Sequence, residues 1–123
     1  MTTMTQIKIL QKLFEARDAI HFMHLNTTSY AKHKALGEFY DSWLDLVDSF
    51  IETYQGKYGR ITGVISIDVN SASDTHAYLV DLMKFLNVDI VTIIDQKIDS
   101  DLDNIIADMK ALINHTMYLL TLS

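Results

Sequence analysis

The sequence predicts an all-α fold, a four-helix bundle that occupies residues 1–123 as a single domain. The chain has no proline and only four glycines, so few positions are able to interrupt a helix. Between those interruptions, apolar residues recur every three or four positions, which is the spacing of an amphipathic helix packed on a core. Four segments with this spacing predict four helices packed as a bundle.

The first two predicted helices span Thr5–Leu25 and Ser29–Tyr58. The second carries the clearest pattern in the chain, because its apolar positions step by four and three residues over about three heptads. Gly37 lies inside this pattern, and a glycine within a helix usually marks a close approach of the backbone to another group. The predicted core faces are Leu10, Leu13, Phe14, Arg17, Ile20, His21 and His24 in the first helix, and Leu36, Tyr40, Trp43, Val47, Phe50 and Tyr54 in the second.

The third predicted helix spans Asp74–Gln96, and the fourth begins with Asp99 or Ser100 as its N-cap. The first turn of the fourth helix is acidic, and the helix dipole favours negative charge at that end. Glycines cluster before the third helix, so Arg60–Ser73 is expected to be a connection.

One alternative to an all-helical chain stays open. Ile61–Val69 alternates and is rich in β-branched residues, and Val88–Ile94 is also β-rich. The two segments would form a two-stranded pairing beside three helices. A lone pair of strands is marginally stable, so the connection remains the preferred interpretation.

Composition excludes several classes of protein. The chain has 10 Lys and Arg against 16 Asp and Glu, a net charge of −6, which repels phosphate and predicts no affinity for double-stranded DNA. It has no cysteine, which excludes disulfide scaffolds and thiolate metal sites. No apolar run is long enough for a membrane helix and no signal peptide is evident, so we expect a cytoplasmic protein without membrane contact.

Two pairs of residues are candidate metal ligands. His24 and His33 flank the first predicted turn, while Asp48 and Glu52 share one helix face four residues apart. Imidazole and carboxylate together suit iron, manganese or zinc. His33 and Asp48 lie about 22 Å apart along one helix at 1.5 Å per residue. One chain is therefore unable to bring them together, whereas antiparallel second helices across a two-fold axis would do so.

A homodimer or higher homo-oligomer is also expected from the aromatic residues of the second helix. Tyr40, Trp43, Phe50 and Tyr54 give this helix more aromatic surface than one small bundle needs to bury.

The same residues carry a resemblance to known families. The run from His24 to His33, the following Phe39-Tyr40 and the later Asp48-x-x-x-Glu52 resemble the miniferritins, the DNA-protecting starvation proteins of the ferritin-like superfamily. Most of the chain, including the Glu-Thr-Tyr-Gln-Gly run that starts at Glu52, is similar to a family of small tailed-phage proteins.

The miniferritin resemblance implies a ferritin-like four-helix bundle. It also implies an inter-subunit ferroxidase site with His24 and His33 from one chain and Asp48 and Glu52 from its partner. The expected function is then the binding of iron, or of manganese or zinc, and whether iron is oxidised stays open. The alternative is a non-catalytic phage accessory protein that binds or modulates a host protein through an acidic helical surface.

Overall fold

The computed structural model describes residues 1–72 and 74–122. The chain is 76% helical, with four α-helices and no strand among the described residues, which confirms the all-α prediction. The helices are α1 (Met4–Asn26), α2 (Tyr30–Tyr58), α3 (Thr75–Lys84) and α4 (Ser100–Leu120). A π-helical turn (Phe85–Asp89) and a 3₁₀ turn (Ile90–Ile93) follow α3 directly.

α2 is the helix against which both α1 and α4 pack, and its apolar pattern explains why. Trp43 is completely buried, and its indole N–H donates to the backbone carbonyl of Leu13 at 3.1 Å. A buried indole needs such a partner, because an unsatisfied N–H in the core would cost about 1–3 kcal/mol. Five of the six predicted core positions of α2 are buried, and Phe39 is buried where Tyr40 was expected. The buried residues of α2 are Ala35, Leu36, Phe39, Trp43, Val47, Phe50 and Tyr54.

The core face of α1 is rotated relative to the predicted one. Ala16 and Ala19 are buried, whereas Arg17 and His21 are half-buried at the edge of the core. Small alanine side chains allow close approach to neighbouring helices, so the face that packs is the one that carries them. The predicted core face of α1 was based on large side chains, so it did not include these two alanines. The buried residues of α1 are Ile9, Leu13, Ala16, Ala19, Ile20 and Met23.

The connection between α2 and α3 lies along α1 without forming a strand. The backbone N–H of Thr62 donates to the hydroxyl of Thr2 at 2.9 Å, and that of Ser66 donates to the side-chain amide oxygen of Gln11 at 3.0 Å. These donors are satisfied by single side chains, so no backbone ladder is present here. The predicted connection extends to Ser73, which lies outside the described residues.

The third helix is shorter than predicted. Asp74 caps it, with Oδ1 accepting the N–H of Ala77 at 2.9 Å, but regular α-helix ends at Lys84. The chain then stays helical to Ile93 in π and 3₁₀ geometry. The β-branched residues of Val88–Ile94, which suggested a strand, lie where the α-helical geometry is lost, in keeping with their weaker helix propensity. The hairpin alternative is therefore wrong.

Asp99 joins the end of α2 to the start of α4. It occupies the N-cap position of α4, but its side chain makes no capping bond and is completely buried instead. Its Oδ2 accepts the backbone N–H of Asp95 at 2.8 Å and the hydroxyl of Tyr58. Its Oδ1 lies 2.6 Å from Nζ of Lys57. Asp99 therefore occupies the predicted N-cap position, but its side chain does not make the hydrogen bond to the first turn of α4 that an N-cap residue usually makes.

These partners hold the carboxyl of Asp99 in its charged form. The N–H of Asp95, with Lys57 and Tyr58, lowers the pKa of Asp99 from 3.8 to about 2. Lys57 also lies 2.8 Å from Oδ1 of Asp101, and these two carboxylates raise the pKa of Lys57 above its ordinary value. The cluster therefore neutralises a buried charge with a cation and two hydrogen-bond donors.

The structure also bears on the expected dimer. Trp43, Phe50 and Tyr54 are at most 3% exposed within the single chain, and Tyr40 is half-buried, so the bundle itself buries most of the aromatic surface that suggested an oligomer. Homo-oligomerisation stays a prediction without that support. Among the described residues, no helix is long and apolar enough to cross a membrane.

We expect Asp99→Asn to destabilise the chain at neutral pH and to reduce the pH dependence of its stability. The pKa of Asp99 is lower in the folded state, so its contribution is present above about pH 4 and is lost as the pH falls through about 2. Urea denaturation between pH 7 and pH 2 measures this. Asp108→Asn is the matched control on the exposed face of α4, and an equal pH profile for the two variants would contradict the assignment.

Candidate functional site

Two histidines close the turn between α1 and α2. His24 lies in the last turn of α1 and His33 in the first turn of α2. Nδ1 of His24 lies 2.5 Å from the carbonyl oxygen of His33, and Nδ1 of His33 lies 2.9 Å from the carbonyl oxygen of His24. The two rings stack with centroids 3.9 Å apart and planes 15° from parallel. We call this arrangement the histidine pair.

The reciprocal bonds fix which nitrogen of each ring carries a proton. A carbonyl oxygen only accepts, so Nδ1 must be the donor in both His24 and His33. In the neutral rings Nε2 is then unprotonated and free to accept a hydrogen bond or to bind a cation. The histidine pair thus joins α1 to α2 through Nδ1 of each ring.

The stack continues along α1 and α2 and explains the glycine within α2. His21 stacks on Tyr40 with centroids 4.1 Å apart, and the ring of His21 lies 6.1 Å from that of His24. A Cβ at Gly37 would lie 2.8 Å from Cε1 of His24 and 3.2 Å from its Nδ1. Gly37 is therefore the position at which the helix backbone makes room for the imidazole, as its place in the pattern predicted.

The stacked geometry limits how the histidine pair would hold a metal. An imidazole binds an ion in its own ring plane, along the Nε2 lone pair. The planes of His24 and His33 are nearly parallel and stacked, so they share no nearby point. As arranged, the two rings do not fit one ion, and a site that uses both requires one ring to leave the stack.

The structure places the other two predicted ligands far along α2. Asp48 and Glu52 are both exposed, and Asp48 lies about 22 Å from His33 at the rise of a continuous helix. No group of three or more His, Asp or Glu side chains gathers as a metal site in the part of the chain that the structure describes. The four-residue site, which needs a second chain, stays a prediction.

Asp48 and Glu52 belong to a longer row of carboxylates. Five acidic residues follow one another on α2 at spacings of three, four, three and four, and all five are exposed. At 3.6 residues per turn, this row is centred about 180° from the buried face of α2. We call it the acidic stripe: Glu38, Asp41, Asp45, Asp48 and Glu52.

None of the carboxylates of the acidic stripe is neutralised by an ion pair with a described residue. No basic residue lies between Lys34 and Lys57, and none of the five carboxylates makes a hydrogen bond or ion pair with the described residues. Sequence reasoning singled out the last two acids and missed the other three. The sequence does contain a signal for these three acids. They follow the same three-and-four spacing as the apolar face of α2, and no lysine or arginine lies between Lys34 and Lys57.

These features define a small helical protein whose central helix is buried on one face and acidic on the other. The chain belongs to the family of unknown function DUF5856, which matches residues 24–120. The matched region contains the histidine pair, the acidic stripe and the Asp99 cluster. It excludes most of α1.

One relative is a phage protein. The chain is 42% identical over 48 residues to an uncharacterised 14.6 kDa protein of Enterobacteria phage T4, from the mobD–ri intergenic region. That match covers 39% of this chain and 38% of the phage protein, so the chain matches less than half of its relative. No solved structure matches the chain. The comparisons support the phage-family resemblance, and the miniferritin resemblance has no support among them.

We expect Gly37→Ala to lower the free energy of unfolding by about 1–2 kcal/mol, because overpacking against the imidazole of His24 outweighs the gain in helix propensity. In a His24→Ala background the obstacle is gone, and the same substitution is expected to raise stability by about 1 kcal/mol. Urea denaturation of the four proteins measures the coupling.

Gly56→Ala is the matched control for this cycle, because a Cβ there meets nothing within 4 Å. It is expected to stabilise both backgrounds by about 0.5–1 kcal/mol. An effect of Gly37→Ala that is the same with and without His24 would contradict the contact.

Proposed function

We propose that the chain is a phage-type, non-catalytic accessory protein that binds a basic segment of a partner protein through the acidic stripe. One observation carries the proposal: five exposed carboxylates without partners, aligned on the face of α2 opposite to the core. The stripe is about 21 Å long at the rise of a helix, which matches the length of a short helical or extended peptide.

Repulsion within the acidic stripe lowers the stability of the folded chain, and binding of a basic partner would offset this loss. Like charges three or four residues apart on a helix repel, and four such neighbouring pairs together cost about 1–2 kcal/mol. The overall charge of −6 adds to the attraction of a basic partner and speeds their encounter. A sequence selected for stability alone would place a lysine or arginine among these acids.

The relative in phage T4 supports the class of protein. A phage accessory protein acts in an infected bacterium, so the expected partner is a host protein that presents lysine and arginine residues. The acidic stripe supplies the recognition chemistry for such a segment, in which exposed ion pairs determine association rate and specificity more than they determine affinity.

We expect Asp45→Asn/Asp48→Asn to weaken binding of an oligo-lysine peptide about fivefold, because two exposed ion pairs together contribute ~1 kcal/mol. The same variant is expected to raise the free energy of unfolding by about 0.5–1.5 kcal/mol, since like-charge repulsion is removed. Fluorescence anisotropy at about 0.15 M salt, where distant charges are screened, measures the binding, and urea denaturation measures the stability.

Asp68→Asn/Asp108→Asn is the control, because it changes net charge equally at two exposed acids outside α2. It is expected to leave peptide affinity within about twofold of the parent, since distant exposed charges are largely screened. Equal losses of affinity in the two variants would show that the peptide senses net charge alone, and the proposal would then fail.

Metal binding is a second candidate, with the ferritin-like bundle as its fold. It is favoured by the unprotonated Nε2 of the exposed His33 and by the unpaired carboxylates of Asp48 and Glu52, which a two-fold partner would supply. His24 joins this set when its ring leaves the stack. Iron, manganese and zinc suit the ligands. Metal analysis of protein purified without chelator separates this candidate from the first.

A further inference from the structure

A pocket between α2 and α4 lies at the N-terminal end of the acidic stripe. It has a volume of about 390 Å³, within the size range of small-molecule sites. The side chains that line it come from residues 38–42 of α2 and residues 112–116 of α4. Phe39 is completely buried and Leu112 is half-buried, so these two side chains form an apolar floor. We call this the α2–α4 pocket.

The charges at the rim of the α2–α4 pocket all have one sign. Glu38 and Asp41, the first two acids of the acidic stripe, lie there, and no lysine or arginine is among the described residues that line the pocket. Neither carboxylate makes an ion pair within the described part of the chain. Because the two residues lie three positions apart on one helix, their Cβ atoms are about 5–6 Å apart. One cationic group is therefore able to contact both.

A buried hydroxyl also lines the α2–α4 pocket. Thr116 is only 1% exposed, and its hydroxyl makes no hydrogen bond with the described residues. Thr92 and Thr121, in contrast, each donate to a carbonyl three residues earlier. Among the described residues, the side-chain oxygen that is sealed from solvent without a hydrogen bond belongs to Asp99, so the hydroxyl of Thr116 keeps its access at the pocket. A ligand that bonds to it would satisfy a buried polar group.

Two carboxylates, a hydroxyl and an apolar floor together suit a guanidinium better than an ammonium. The guanidinium is planar, is weakly hydrated and presents five N–H donors in a fixed fork, whereas the ammonium of lysine is a compact and strongly hydrated charge. The uncharged ring of His115, on the α4 side of the pocket, offers one more acceptor. The methylene groups of an arginine side chain would cover apolar surface at the same time.

We infer that the α2–α4 pocket binds one arginine side chain of the basic segment that the acidic stripe recognises, an inference that rests on the proposed function. The guanidinium pairs with Glu38 and Asp41 and donates to the hydroxyl of Thr116, while the methylene groups cover Phe39. The other carboxylates of the stripe attract lysine and arginine alike. The pocket therefore fixes the position of the segment along the stripe, which a row of equal charges leaves unspecified.

Two peptides of seven residues test the inference by fluorescence anisotropy with the full chain at about 0.15 M salt. One consists of lysine alone, and the other has arginine at both ends, so that either direction of binding places a guanidinium at Glu38. An extended peptide of this length spans ~23 Å, close to the length of the stripe. The arginine peptide is expected to bind about fivefold more tightly, because a guanidinium bonds to two carboxylates at once.

Ser42→Leu fills the α2–α4 pocket from an exposed position without changing the charge. It is expected to bring the affinities of the two peptides within about twofold of each other, because the guanidinium loses its contacts in the pocket. Ser49→Leu is the matched control, since Ser49 is exposed on the same face of α2, seven residues further on, and does not line the pocket. It is expected to keep the preference for arginine. Thr116→Val removes one hydroxyl and is expected to lower the preference about twofold.

Two results would overturn the inference: equal affinities of the two peptides for the parent chain, or the same preference for arginine in Ser42→Leu and Ser49→Leu. The proposed function is judged separately, by the effect of Asp45→Asn/Asp48→Asn on binding of the lysine peptide, because that variant leaves every residue of the α2–α4 pocket unchanged. A stripe that binds the lysine peptide without any preference for arginine would therefore remove the inference alone.

Discussion

The division of α2 into two opposite faces is the constraint on which the rest of the molecule depends. Its apolar face is buried between α1 and α4, with Trp43 at the centre donating to the carbonyl of Leu13. Because the apolar and acidic residues follow the same three-and-four spacing, burial of one set orients the other towards solvent. The acidic stripe is thus presented in a straight row by the packing that stabilises the fold.

Two further contacts fix α2 at its ends. At its start, the histidine pair holds it to α1 through two ring-to-carbonyl bonds, and Gly37 leaves room for the ring of His24. At its end, Lys57 and Tyr58 hold the buried carboxylate of Asp99 before α4 begins. The first contact closes the turn between α1 and α2, and the second joins segments about 40 residues apart in the chain. Polar groups therefore fix both ends of α2 while its centre is apolar.

Much of the fold could be predicted from the sequence, because helix periodicity is a local property. The ends of α2 and the position of Gly37 followed from spacing and from the residues that favour helix ends. The rotation of α1 did not, since it arises from packing between distant segments. The π-helical turn after Lys84 was missed because the β-branched residues that follow it suggested a strand. The contact of His24 with the backbone of His33 was also missed, because a histidine pattern shows that two rings are near a turn and gives no ring orientation.

The central claim is that α2 uses its buried face for stability and its acidic face for binding. Amide and indole chemical shifts of the labelled protein, followed by NMR during titration with oligo-lysine, test it most directly. We predict shifts confined to the exposed positions of Glu38–Glu52, with the indole N–H of Trp43 unchanged. Shifts centred on α1 or α3, or a displaced Trp43 resonance, would contradict the claim.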